Sequence, residues 1–67
     1  MLGYFVDLSP LDIRERIEVE KRLVSNCWEV HPDYYTWRFK IFVEDSVDPR
    51  TRCSIPAACP ITLSPPL

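Results

Sequence analysis

An apolar beginning, a long amphipathic stretch and a second, shorter one set the pattern of the chain. Residues 1–8 form an apolar lead-in with no clear period. Ser9-Pro10-Leu11-Asp12 has the chemistry of a helix start. Ser9 can accept from a free amide, Pro10 suits the first helical position, and Asp12 favours the positive end of the helix dipole. Beyond it Ile13, Ile17, Val24, Cys27 and Trp28 recur near helical spacing, flanked by Leu11, Leu23 and Val30. Arg14, Glu15, Arg16, Glu18, Glu20, Lys21 and Arg22 lie between them. This predicts an amphipathic helix of about five turns. Pro32 ends it, because the residue before a proline is pushed out of the α region. His31-Pro32-Asp33 then becomes a turn, with Asp33 placed to cap whatever follows.

The next stretch reads two ways. From Thr36 to Glu44 apolar and polar residues alternate almost perfectly, which by period is a strand. Trp37 with Ile41, or Tyr35 with Phe39 and Phe42/Val43, also stand at helical spacing. After that the pattern stops. Residues 48–67 hold five of the seven prolines and no periodic apolar face, the composition of a disordered Pro-rich tail.

Size and composition narrow the possibilities. Sixty-seven residues make at most one domain, and chains this small usually need a disulfide, a metal or a partner to stay folded. A hydrophobic share of 46% is too high for a wholly disordered chain, so a partner is the economical expectation. The net charge of −2 argues against nucleic acid and anionic membranes, which need a basic face. No apolar run approaches the ~20 residues that span a bilayer. The first residues lack the basic and long apolar regions of a signal peptide, so a cytoplasmic location with three reduced cysteines is expected.

Two constellations of reactive side chains offer chemistry. Cys27, His31, Cys53 and Cys59 are metal-ligating types, but zinc sites use closely paired thiolates, and Cys53 and Cys59 have residues 54–58 between them. Cys27 and His31 are one helical turn apart, yet a nucleophile also needs an orienting group, an oxyanion site and a pocket. No catalytic residue and no metal ligand is therefore assigned.

His31-Pro32-Asp33 after an amphipathic helix resembles the signature loop of J-domain co-chaperones, which stimulate Hsp70 ATPases. Asp48-Pro49-Arg50-Thr51-Arg52 is similar to the Asp-Pro…Arg segment that closes many J-domains. In that family the preceding helix is basic and Lys or Arg follows the tripeptide. Here that helix carries Glu15, Glu18, Glu20 and Glu29, and Tyr34 follows.

A longer resemblance covers residues 24–45. Cys27, Trp28, Val30, His31, Pro32, Asp33, Tyr34, Tyr35, Thr36 and then Trp37 resemble the repeat of protein prenyltransferase α subunits, most closely that of Rab geranylgeranyltransferase. That repeat ends one helix with a pattern like S-x-L-L-x-L-N-P-E-Y-Y-T and begins the next with W-x-x-R. Here His31 replaces Asn, Asp33 replaces Glu, Lys40 stands near the Arg, and one residue is missing between Thr36 and Trp37. Such a motif is structural: proline stops one helix, the acid caps the next, and Tyr35 with Trp37 wedges the two together.

Following that resemblance, the expected fold is all-α, a single helical hairpin of one solenoid-type repeat. It comprises a lead-in at 1–8, helix–turn–helix at 9–47 and a disordered tail at 48–67, with residues 35–45 helical against their alternation. The alternative is a small α+β fold with residues 35–44 as a strand. The resemblance implies a fragment or truncated isoform of the scaffold subunit, inert alone. Its partners would be the prenyltransferase β subunit and a Rab GTPase complex. No cofactor is expected in this chain, since zinc would belong to the β subunit. The other functional readings are a J-domain-like Hsp70 co-chaperone fragment and a non-enzymatic protein-interaction module, the last of which goes with a strand at Trp37 to Val43.

Overall fold

The computed structural model describes residues 2–26 and 29–64. Along them run strand β1 (Leu2–Asp7), helix α1 (Ile13–Asn26), strands β2 (Glu29–His31) and β3 (Arg38–Val43), helix α2 (Pro49–Arg52) and strand β4 (Ile61–Leu63). The strands make one antiparallel sheet in the order β2-β3-β1-β4. Each helix therefore joins two parallel strands across a strand that belongs to the other unit, a split βαβ arrangement.

This overturns the all-α hairpin. Of the residues expected to form the second helix, 35–45, Arg38–Val43 are β3, paired with β1 along its length and with β2 on its other side. Period decides the matter: Phe39, Ile41 and Val43 are buried while Arg38, Lys40 and Phe42 alternate outward. A strand flanked by two others satisfies its backbone in ladders, and burial of every second residue repays the ordering. The alternative α+β expectation has the right class, with the strand at Arg38–Val43 instead of 35–44.

The first helix is shorter than expected and turned differently. Asp12 caps it, its carboxylate accepting the Glu15 amide at 2.8 Å, so Ser9 and Pro10 lie before the helix. Its buried residues are Val19 and Leu23, with Leu11 just before it, whereas Ile13, Ile17 and Val24 are exposed. The helix ends at Asn26, and Val30 and His31 belong to β2. Pro32 therefore closes a strand, not a helix.

Residues 48–64 of the expected tail are built into the fold. Asp48 caps α2 by accepting the Arg50 amide at 2.9 Å, with Pro49 at the first turn. Cys53, Ile55 and Cys59 are buried with Val6, Leu8, Phe39 and Ile41 in the core between sheet and helices. Arg50 closes the loop that follows, donating to the carbonyls of Pro56 at 3.0 Å and Cys59 at 2.6 Å. Where three reduced cysteines are expected, Cys53 is disulfide-bonded in this structure and Cys59 is a free thiol. No helix among the described residues is long and apolar enough to cross a membrane.

Candidate functional site

Both helices pack on one side of the sheet, through Val6, Phe39, Ile41 and Val43. The other side is uncovered by any described helix. Register assigns its residues. Asp7 stands opposite Arg38, Phe5 sits between Lys40 and Thr62, Gly3 is opposite Phe42, and β2 adds Glu29 and His31 beside Phe42 and Lys40.

On this open face cations and rings interleave. The Arg38 guanidinium lies 4.6 Å from the Phe5 ring centre, and the Lys40 ammonium lies 5.7 Å from Phe5 and 5.2 Å from Phe42. His31 meets Phe42 edge-on at 5.7 Å and shares a hydrogen bond of 2.8 Å with Glu29. Both phenyl rings are half-buried on the two central strands. Positive charge over an aromatic face is attracted by the ring quadrupole, and desolvation strengthens the attraction. At the corner, hydrogen bonds from Ser9 hold the Asp7 carboxyl below its usual range, with Arg38 and Arg16 adding to the effect against slight burial.

Gly3 matters at this spot. A methyl group there would come within 3.2 Å of both the Phe42 ring and the Ser64 Cβ, so the ring lies across the glycine and fills its missing side chain. Residue 3 is the low point that lets Phe42 lie flat.

The residues of the sequence motif fall elsewhere or are split apart. Cys27 and Trp28 lie outside the described residues. Val30 faces the core, and His31 belongs to the open face. Asp33 caps the turn after Pro32, accepting the Tyr35 amide at 3.0 Å and the Thr36 amide at 3.4 Å. Tyr35 is fully exposed and wedges nothing. The aromatic wedge is instead Tyr34, Trp37 and Phe39: Trp37 stacks on Phe39 at 6.0 Å, and Tyr34 meets both rings edge-on. Arg16 of α1 lies 5.4 Å from the Trp37 ring and donates to the carbonyls of Leu8 and Ser9. The wedge thus sits between helix and sheet.

Of the cysteine–histidine constellation, His31 is exposed on the sheet, whereas Cys53 and Cys59 are buried in the core. A disulfide-bonded Cys53 offers no thiolate to a metal. Among the described residues, no three His, Cys, Asp or Glu side chains are grouped to hold a metal ion.

An open recess of about 450 Å³ lies at one end of the sheet, between Leu2, Tyr4, Ser46, Arg50 and Ile61. Its charged groups are already engaged: Arg50 holds two carbonyls and Asp48 caps α2. The open face is therefore the better candidate. Phe5, Arg38, Lys40 and Phe42 are not among the residues that the sequence motifs mark as a site. Their signal is Phe42, the apolar residue that breaks the polar half of the Thr36–Glu44 alternation.

No family model, curated protein or solved structure matches the chain.

Proposed function

We propose that the chain is a non-enzymatic protein-interaction module that binds through the open face of its sheet. The observation that carries this reading is the half-buried pair Phe5 and Phe42, on the central strands, with Arg38 and Lys40 laid over them. Aromatic residues and arginine are enriched at the centres of protein interfaces, where rigid rings supply area at low entropic cost. A flat face of this kind offers contact rather than an enclosed reaction volume. The prenyltransferase scaffold reading needs two helices meeting at Pro32, and the J-domain reading needs a helix on each side of the His31-Pro32-Asp33 loop. Extended β2 and β3 remove that support from both.

Cytoplasmic placement is retained in this proposal on one condition. Thiols are kept reduced there, so the module would work with the Cys53 bridge open. A bridge found intact when thiols are trapped in living cells places the chain in an oxidising compartment instead.

The interaction reading is tested with a photo-crosslinking phenylalanine analogue at position 42 and, as a control on α2, at position 51. Adducts are expected at 42 and not at 51, and Phe5→Ser should remove them while circular dichroism stays unchanged. Adducts confined to position 51, or none at either position, would overturn the reading.

A further inference from the structure

We infer that the occupant of the open face is a second copy of this chain, packed face to face about a two-fold axis running along the strands between β1 and β3. This rests on the interaction-module reading and names its partner.

Charge comes first. The face carries Arg38 and Lys40 against Asp7 and Glu29, so its formal charges cancel. A polyanion gains little from such a surface, because release of counterions requires net positive charge. A balanced surface suits a partner of equally balanced charge, and a second copy is one by definition. Closed two-fold pairing is also the commonest form of self-association.

Register then selects the axis. An axis along the strands exchanges β3 with β1, so each row of the face meets itself reversed. Arg38 comes opposite the second copy's Asp7, Lys40 opposite its Phe5, and Phe42 opposite its Gly3. Every pairing is favourable: an ion pair, a cation on a ring, and a Phe42 ring against the ring that covers the second copy's Gly3. Because Phe42 already lies across Gly3, the two Phe42 rings meet at the axis. An axis across the strands at the central Lys40–Phe5 row would instead set Lys40 on Lys40, a like-charge contact that costs energy. Sheets of this type pack with strands nearly aligned, an arrangement the first axis gives.

Area sets the strength. The chain measures 30 × 21 × 18 Å. A broad face of the two longer dimensions buries roughly 600 Å² per copy, about 1,200 Å² in total, at the lower end of specific interfaces. Dissociation on the order of micromolar follows from a small interface with four favourable charged contacts.

The decisive experiment uses two charge-reversed variants of the full chain, Arg38→Asp and Asp7→Arg, in sedimentation equilibrium. Wild type should approach twice the monomer mass as concentration rises through the micromolar range. Each variant alone should stay monomeric, because like charges then meet across the axis. An equimolar mixture should form heterodimers, since Asp at 38 meets Asp7 only within its own copy and Arg across the axis. A mixture that stays monomeric while both variants are folded overturns the proposal. Where a variant does not fold, amide shifts of wild type on dilution decide: Phe5, Lys40 and Phe42 should move and Ile13, Ile17 and Val24 should not. Shifts confined to α1, or no shifts at all, would equally overturn it. If the position-42 crosslinker captures other proteins but the chain is monomeric, self-pairing falls and the interaction-module reading stands.

Discussion

The Tyr34 hydroxyl donates a hydrogen bond to the Glu20 carboxylate, tying the turn between β2 and β3 to the middle of α1. The same ring meets Trp37 at 5.5 Å and Phe39 at 5.6 Å, so one side chain joins helix, turn and core. The hydrogen bond holds the proton on Tyr34 and raises its pKa, with desolvation and the Glu20 charge acting in the same direction. A pKa raised in the folded state gives a contribution that is complete below the ordinary tyrosine value of about 10 and lost as pH rises through the folded value. The difference in phenolate absorbance between wild type and Tyr34→Phe isolates this group. Its midpoint should lie above the ordinary range and fall back in Glu20→Gln.

Adjacent positions on α1 should respond very differently to truncation. Leu23 is fully buried, whereas Val24 is 64% exposed. Leu23→Ala removes a core side chain and leaves a cavity, at a cost of about 2–5 kcal/mol. A small domain holds only about 5–15 kcal/mol in all, so this variant should be partly unfolded at 37 °C. Val24→Ala should change stability by no more than about 0.5 kcal/mol. Urea denaturation of both proteins checks the helix phase directly, and equal costs would place the buried stripe elsewhere.

That phase marks where reading the sequence stops short. Two apolar stripes fit the helix equally well, Ile13–Ile17–Val24 and Leu11–Val19–Leu23, and spacing alone favours neither. The choice is made by long-range contacts, above all Arg16, which bonds to Leu8 and Ser9 and lies over Trp37. The strand at Arg38–Val43 is legible in its alternation, and the likeness to a helical repeat points the other way. Residues 2–7 are less legible, because Tyr4, Phe5 and Val6 are apolar on both faces of β1. In the last twenty residues, a four-residue helix and a three-residue strand are too short for any period to show. Asp48-Pro49 is the readable exception, a cap followed by a proline at the first turn. Half of the open face was visible as the outward residues of the alternation. The other half, Phe5 and Gly3, joins it only through pairing of β1 with β3.

The two described cysteines should differ in their chemistry. Cys59 is buried, and desolvation pushes its thiol up, outweighing the opposing pull of Arg50. Thiolate is the reactive form, so alkylation in the native protein should be slowed at least about tenfold relative to urea. Cys53 should stay unlabelled in urea until a reductant is added, because it is disulfide-bonded. Reduction should also lower stability by about 2–4 kcal/mol. Peptide mass spectrometry after alkylation under the three conditions reads both residues separately.

Gly3 offers a way to perturb the open face without dismantling the fold. A methyl at this position would press on the Phe42 ring and the Ser64 Cβ, each at 3.2 Å. These neighbours are not equally free to yield. Ser64 is buried, and its amide donates to the Gly3 carbonyl at 2.8 Å, which holds it against β1. Phe42 is half-buried on an uncovered face, so its ring can tilt outward by the few tenths of an ångström required. Gly3→Ala also lowers the entropy of the unfolded chain, an effect worth about 0.4–1 kcal/mol in favour of the fold. Strain and entropy then nearly cancel, and global stability should change by less than about 1 kcal/mol. Binding should not be spared. A tilted Phe42 no longer lies flat where the two copies would meet, and its distance from Lys40 changes with it. Gly3→Ala should therefore weaken self-association several-fold in sedimentation equilibrium while leaving the urea midpoint close to wild type. Because a folding defect moves the midpoint and a face defect does not, this separates the two roles of residue 3. A loss of stability matching any loss of association would mean that the ring is locked in place, and that Gly3 serves the fold alone.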